Sequence, residues 1–326
     1  MRRREFIALV GIAAAAWPLT VRAQQSTMPV VGWLNLSPLN SSRHFLNSFR
    51  KGLGEAGFVE GKNVTIELRP GGGGQSMKER ADDLVRRGVA AIMAGAPPAA
   101  LAAKRATQTI PVVFTSGTDP VKIGLVSSFS RPGGNVTGFH IQFIQLVGKR
   151  LALLHEIVPQ AGRIAVLVNP AHPSEAVPTV RDATEAARAL GLDLKVFNAG
   201  TVGEIDTAFA ALVAWRAGAV FVGPDPLFVV RNAQIVTLAA RHKLPTSVLL
   251  GRFVEAGGLM TYGPDLPDLY RRAGGYVGRI LKGEKPANLP VQQPTKFEMV
   301  INLKTAKAIG ITIPQSIMLS ANKVIE

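Results

Sequence analysis

The chain has 326 residues, a formal net charge of +15 and no cysteine. The missing thiols exclude disulfide staples, thiol catalysis and a lipid-modified cysteine at an export cleavage site. Hydrophobic residues make up 47% and aromatic residues 6%, an aliphatic composition long enough to be held by its own core. Beyond the N-terminal arginines the basic residues are scattered in ones and twos, as a solvated surface rather than a nucleic-acid stripe.

Arg2, Arg3 and Arg4 lead into an apolar stretch from Phe6 to Leu19, followed by Val21-Arg22-Ala23. A basic n-region, a short h-region and a small-residue cleavage motif predict a secretory signal peptide over residues 1–23, cut near Ala23. The apolar stretch falls short of the roughly 20 residues that span a bilayer, which weighs against the alternative of an uncleaved anchor. Arg3-Arg4-Glu5-Phe6-Ile7 also resembles a twin-arginine export motif, with Arg2 where Ser or Thr is usual. The expected location is periplasmic.

After the signal, apolar runs alternate with amphipathic stretches. Pro29 to Leu34 predicts a strand closed by Asn35-Leu36-Ser37-Pro38. Phe45, Phe49, Leu53 and Ala56 then recur at helical spacing, with Gly57 at a C-cap position. Val64 to Leu68 predicts a second strand and Gly71 to Gly74 a flexible loop. Ser76-Met77-Lys78-Glu79 is a capping box opening a helix with Met77, Ala81, Leu84 and Val85 on one face. Strand Val89 to Ala94, helix Ala99 to Thr107 and strand Pro111 to Thr115 follow.

Beyond Gly138 the alternation restarts. Helix Leu146 to Val158, strand Ile164 to Val168, helix Ala176 to Leu190 and strand Leu192 to Phe197 come first. Helix Ile205 to Ala217, strand Ala219 to Val222, helix Phe228 to Arg241 and a short strand Thr246 to Val248 come next. Leu266, Leu269, Tyr270, Ala273, Tyr276, Val277 and Ile280 mark one more amphipathic helix. Strands that are apolar throughout are buried on both faces, which predicts α/β architecture with parallel sheets covered by helices. Two such series imply two lobes. Gly/Pro joints at Arg131 to Gly138, Gly257 to Pro264 and Lys285 to Pro294 predict a hinge of several chain crossings, ordinary turns being the alternative for each.

Catalytic signatures are missing. His44, His140, His155, His172 and His242 are dispersed, with no pair at the i, i+4 spacing of a helical metal site, so no metal and no cofactor are expected. No G-x-S-x-G elbow occurs, and no carboxylate pair suggests acid/base work. Gly71 to Gly74 lacks the Lys-Ser/Thr of a phosphate loop. The first strand–helix turn, Asn35 to Asn40, has no glycine, whereas a dinucleotide fold needs one there for backbone to approach a pyrophosphate.

In open parallel α/β sheets ligands bind beyond the carboxyl ends of the strands. That rule selects Asn35 and Ser37 after the first strand, Ala96 and Pro97 after the third, and Thr115, Ser116 and Asp119 after the fourth. From the second series it selects Asn169, His172, Asp225, Ser247 and Arg252. Small polar residues at helix starts present hydroxyl and N–H groups to an anion, each helix end contributing roughly 0.3–1 kcal/mol. The same residues also serve as plain helix caps.

Ordered motifs then point to a family. Phe58-Val59-Glu60-Gly61-Lys62-Asn63-Val64, Pro111-Val112-Val113-Phe114-Thr115 with Thr118-Asp119-Pro120-Val121, and Arg131-Pro132-Gly133-Gly134-Asn135-Val136-Thr137-Gly138 occur in sequence. Thr261-Tyr262-Gly263, Ile280-Leu281-Lys282-Gly283 and Val300-Ile301-Asn302-Leu303-Lys304-Thr305 complete the set. The mature chain resembles the exported substrate-binding proteins of ABC transporters, in the group that includes tryptophan- and tyrosine-binding members. The resemblance implies a type I periplasmic-binding-protein fold, two Rossmann-like parallel-sheet lobes joined by three crossovers. It also implies residues 28–138 plus about 263–290 in one lobe and 139–262 plus about 291–326 in the other.

The same resemblance implies an ABC permease and ATPase as partners and a trapped small-molecule ligand; the scattered charge and export weigh against nucleic acid, and with no exposed apolar stripe to demand a dimer a monomer is expected. The loop Ala96-Pro97-Pro98-Ala99, the Thr115 to Asp119 turn, Asn169 and Asp225 match the family pattern; the stretch after Pro245 departs from it. Amino-acid-binding relatives often carry acids there, whereas this chain has Leu249, Leu250, Gly251 and Arg252. The expected ligand is therefore an aromatic or other small carboxylate, with an amino acid as the alternative. Competing functions are a ligand-binding component for a membrane sensor, an exported α/β enzyme, and a regulator on the same fold, which needs a DNA-reading domain where the signal stands.

Overall fold

The computed structural model describes residues 28–326, so the predicted signal peptide and its cleavage site lie outside the described residues. β1 (Val30–Asn35), β2 (Thr65–Arg69), β3 (Ala91–Gly95), β4 (Val112–Ser116) and β5 (Val136–His140) form one sheet in the order β2-β1-β3-β4-β5. Every pairing in it is parallel. β1, β3, β4 and β5 are buried along nearly their whole length because both sides of the sheet are covered, whereas the edge strand β2 carries Glu67 and Arg69 and is only partly buried. Val31, Trp33, Met93, Val113 and Phe139 pack one face beneath α1 (Leu39–Glu55), while Leu34, Ile92, Ala94 and Phe114 pack the other beneath α2 (Met77–Arg86) and α3 (Pro97–Ala106). The capping box at Ser76 and Glu79 is formed in both directions.

The chain then runs through a short 3-10 turn into α4 (Val147–Ile157). β6 (Arg163–Val168), α5 (Pro173–Ala189), β7 (Asp193–Asn198), α6 (Val202–Ala214) and β8 (Ala219–Val222) follow. The single helix expected up to Arg241 is two, α7 (Pro226–Val230) and α8 (Asn232–Arg241), broken at Arg231. β9 (Thr246–Ser247), α9 (Gly251–Glu255) and β10 (Met260–Pro264) lead to α10 (Leu266–Leu281). β11 (Phe297–Asn302), α11 (Leu303–Ile309), α12 (Gln315–Ser320) and β12 (Lys323–Ile325) end the chain.

The second sheet has the order β12-β11-β10-β9-β8-β6-β7. It is parallel except that β11 runs antiparallel to β10, with Thr261 opposite Val300. β5, β10, β11 and β12 escape the sequence reading. β5 and β10 overlap Gly/Pro-rich stretches, and those turn signals masked short runs that only pairing with a neighbour makes into strands. At Gly138 the glycine belongs to the strand itself, since a Cβ there would lie 2.1 Å from the Phe114 carbonyl oxygen.

α10 follows a strand of the second sheet yet packs against α1 on the first. The approach is backbone on backbone: a Cβ on Gly52 would lie 1.7 Å from the Arg271 carbonyl oxygen, and one on Gly274 2.2 Å from that of Phe49. After α10 the chain runs beside β5, where Gln292 N–H donates to Gly138 O at 3.0 Å and His140 N–H to Gln292 O at 2.9 Å. Three stretches therefore join the two sheets, from His140 to Val147, at Pro264-Asp265, and from Gln293 to Lys296.

Candidate ligand-binding cleft

The carboxyl ends of β1, β3 and β4 meet at one point beneath Tyr270 of α10. Thr115 Oγ1 donates to the Tyr270 hydroxyl at 3.2 Å, and Asn35 Oδ1 accepts the Ser37 N–H at 2.9 Å. Gly95 keeps this corner open, because a Cβ there would lie 2.2 Å from Asn35 Nδ2 and 3.1 Å from the Tyr270 hydroxyl. The Tyr270 ring stacks on Phe45 at 4.5 Å and 15°, and tilts against Trp33 at 5.6 Å. Burial pushes the Tyr270 phenol up from its ordinary value, so it serves as a neutral hydrogen-bonding group. Ala96 holds a left-handed φ of 81°, rare for a residue with a Cβ, and donates its N–H to Thr115 O at 3.1 Å. Ala96 is the N-cap residue of α3, which starts at Pro97.

The opposing edge of the second sheet carries a polar cluster. Asp225, 4% exposed, caps α7 by accepting the Leu227 N–H at 2.7 Å and also accepts Asn169 Nδ2 at 3.1 Å. His172 Nδ1 is 2.6 Å from the other Asp225 oxygen; a carboxylate only accepts, so this nitrogen carries the hydrogen. Asn169 Oδ1 in turn accepts the Ala171 N–H at 3.0 Å. Nearby, the buried Arg150 donates to Val222 O at 3.0 Å and Ser247 O at 3.1 Å and lies over the Phe221 ring at 4.3 Å. Burial without a carboxylate lowers its pKa to about 9. It ties α4 to the carboxyl ends of β8 and β9.

Two side-chain hydrogen bonds bridge the lobes among the described residues. Thr118 Oγ1 donates to Glu175 Oε1 on α5. Arg252 on α9 reaches Ser41 O in the first lobe and Val229 O in the second, both at 3.4 Å. Arg252 lines a cavity of about 800 Å³ walled by both lobes, with Ser37, His44 and Phe45 on one side and Val229, Leu250 and Glu298 on the other. Burial lowers the pKa of Arg252. Burial, and then the neighbouring Arg252 charge, hold His44 below the usual imidazole range. Burial pushes the Glu298 carboxyl up.

The predicted site residues fall into four groups. Ser37 and Arg252 line the cavity. Asn35, Ala96, Pro97 and Thr115 form the corner under Tyr270, and Asn169, His172 and Asp225 form the opposing cluster. Ser116 and Asp119 shape their own turn: Ser116 Oγ donates to Thr118 O at 2.6 Å, and Asp119 Oδ1 accepts the Val121 N–H at 2.9 Å. Ser247 is fully buried and holds Arg150 through its carbonyl. Tyr270, Glu298, His44, Arg150 and the Thr118–Glu175 pair were not among the candidates. Tyr270 read as one more apolar position on a helix, and its hydroxyl was the only hint of another role. Glu298 lies on a strand that escaped the sequence reading.

A family model described as ABC transporter substrate binding protein matches residues 40–325. A tyrosine-binding protein of Clostridioides difficile (strain R20291) is 28% identical over 264 residues, 81% of this chain and 75% of that one. The structure of an ABC domain in complex with L-Trp from Streptococcus pneumonia is 28% identical, with a TM-score of 0.80 over 91% of this chain and 99% of the other. A ligand-free, open substrate-binding protein with adhesive properties from Clostridium difficile is 25% identical, with a TM-score of 0.70 over 91% and 99% of the two chains.

Proposed function

The chain belongs to the ABC transporter substrate-binding protein family, and from that premise we propose that it is an extracytoplasmic protein that closes two lobes on a small organic ligand and delivers it to an ABC importer. One observation carries the reading: a single cavity of about 800 Å³ is walled by both lobes, so whatever fills it contacts both and favours their closure. The Thr118–Glu175 and Arg252–Ser41 bonds join the two lobes.

The corner at Asn35, Ala96, Pro97 and Thr115 and the cluster of Asn169, His172 and Asp225 are the two jaws in this reading; the cavity itself is lined by Ser37 and Arg252 rather than by these residues. Function lies in differential affinity of the open and closed forms, with no bond made. No helix among the described residues is long and apolar enough to cross a membrane. Export by a signal peptide cut near Ala23, and attachment to the membrane only through the permease, complete the reading. The relatives' tyrosine and L-Trp put aromatic amino acids in the first ligand panel, beside small carboxylates and sugars.

The test is thermal stabilisation of the mature monomer across that panel, with small-angle scattering of each hit. A ligand at 100 times its dissociation constant adds about 2.7 kcal/mol and raises the melting temperature. The radius of gyration is expected to fall on binding. Turnover of a bound compound, or binding with no change in shape, would count against the reading.

A further inference from the structure

The stretch Leu249-Leu250-Gly251 carries no acid of its own, yet an acid from another strand stands beside it. Glu298 Oε1 on β11 lies 3.6 Å from where a Cβ on Gly251 would be, and Glu298 lines the cavity. Its cross-strand partner on β10 is Gly263, which has no side chain to cover it or pair with it. Glycine on both sides leaves the carboxyl open to the cavity. Among the described residues it accepts no hydrogen bond and forms no ion pair. Lys323, the neighbouring cation, is held by Glu255 at 2.6 Å, and Asp265 is engaged by the Asp268 N–H at 2.9 Å.

A second group points the same way. Thr261 is 1% exposed and lines the same cavity, and its hydroxyl has no partner. Thr261 and Gly263 stand opposite Val300 and Glu298 of β11, so Thr261 and Glu298 are diagonal neighbours on one face of the sheet. Diagonal pairs lie about 7–8 Å apart, a gap that one small donor group can bridge. The Leu249 carbonyl adjoins them, 3.6 Å from the Cβ position of Gly263. The place thus offers a carboxylate, a hydroxyl oxygen and a carbonyl. Burial, and the charges of Asp265 and Glu255, make it hungry for a cation, with Lys323 opposing. Arg252 and His44 line the cavity as well but do not offset the charge at Glu298. No group of three acids or imidazoles among the described residues could hold a metal ion, so the cation that fits is one that donates N–H bonds.

We infer that Glu298 and Thr261 form an ammonium site, and that the cleft selects a solute bearing a primary amine. This rests on the reading of the cavity as the solute site. It reverses the expectation of a carboxylate without an amine. It also assigns amine recognition to β10 and β11 rather than to Asp225, whose carboxylate already accepts from Asn169, His172 and the Leu227 N–H.

Calorimetry on the mature protein with matched pairs tests it: L-tyrosine against 3-(4-hydroxyphenyl)propanoate, and L-tryptophan against 3-(indol-3-yl)propanoate. Each pair differs only in the amine. The amino acid is expected to bind about tenfold or more tighter than its partner, as a buried group left unpaired discriminates strongly. Glu298→Gln is expected to erase that preference while leaving the affinity of the amine-free acid unchanged, and Thr261→Val to reduce the preference a few-fold. An ammonium beside Glu298 also lowers the pKa of its carboxyl. Wild type is therefore expected to release a proton on binding in weakly acid buffer, read as an enthalpy that follows the buffer's heat of ionisation, and Glu298→Gln is not. Amine-free acids binding as tightly as the amino acids, a preference intact in Glu298→Gln, or equal losses for both members of a pair in that variant would overturn the inference. If only a sugar or other solute without an amine closes the lobes, the inference fails and the transport reading stands; if no solute of any class closes them, that reading fails first and takes the inference with it.

Discussion

Thr115 Oγ1 donates a hydrogen bond to the Tyr270 hydroxyl at 3.2 Å across 155 residues of chain. The contact pins α10, which arrives from the second sheet, onto the carboxyl edge of the first. Tyr270→Phe keeps the stack on Phe45 but strands the buried Thr115 hydroxyl, and a loss of about 1 kcal/mol is expected. Tyr270→Ala removes the ring as well and is expected to cost about 3–5 kcal/mol. Urea unfolding of the two variants separates the hydroxyl from the ring; no loss in Tyr270→Phe would mean the hydrogen bond does nothing.

Two adjacent glycines on α10 should behave oppositely. A Cβ at Gly274 would lie 2.2 Å from the Phe49 carbonyl oxygen, so Gly274→Ala forces α1 and α10 apart and should cost about 1–3 kcal/mol or more. At Gly275 no atom lies within 4 Å of the added carbon, and Gly275→Ala should stabilise by up to about 1 kcal/mol through helix propensity. Melting curves that move in the same direction would contradict the close helix contact.

Glu298 predicts a pH dependence. Its folded pKa is raised above the ordinary value of 4.5, chiefly by burial, then by Asp265 and Glu255, with Lys323 opposing. The folded state therefore holds the proton more tightly than the unfolded one. Stability from this group is present in acid and is lost as pH rises through the window above 4.5. Glu298→Gln should match wild type in acid and exceed it at neutral pH. A constant difference across the range would show that Glu298 does not titrate abnormally.

The Thr118–Glu175 bond predicts a shift in lobe closure. Thr118→Val or Glu175→Gln removes or weakens a bond made between lobes, so the ligand-free protein should open and its radius of gyration rise. Ligand affinity should fall a few-fold, since one such bond is worth about 1 kcal/mol. The double variant should add little to either single change. Full additivity would place the two residues in separate roles.

The α/β class and the order of most elements were legible because buried parallel strands are continuous apolar runs and their helices carry a 3.6-residue period. The same local signals hid β5 and β10, whose glycines and prolines read as turns. Strand identity there comes from the neighbour: Gly138 pairs with Phe114 of β4, whose backbone leaves no room for a side chain. Asn35, Thr115, Asn169 and Asp225 could be named as candidates because strand ends in such sheets are found by counting.

What the sequence determined by itself was a two-series α/β chain with its candidates at strand ends, and a family likeness carried by ordered motifs. Only the tertiary structure decided that Tyr270 returns to the first lobe, that Asp225 is shared between Asn169 and His172, and that Arg252 and Glu298 face one cavity. The reason is physical. Periodicity records which face of an element is apolar, but a polar pair separated by 50 or 150 residues leaves no periodic trace. The first exists only once β6 and β8 lie side by side, the second only once the chain has crossed back to the first lobe.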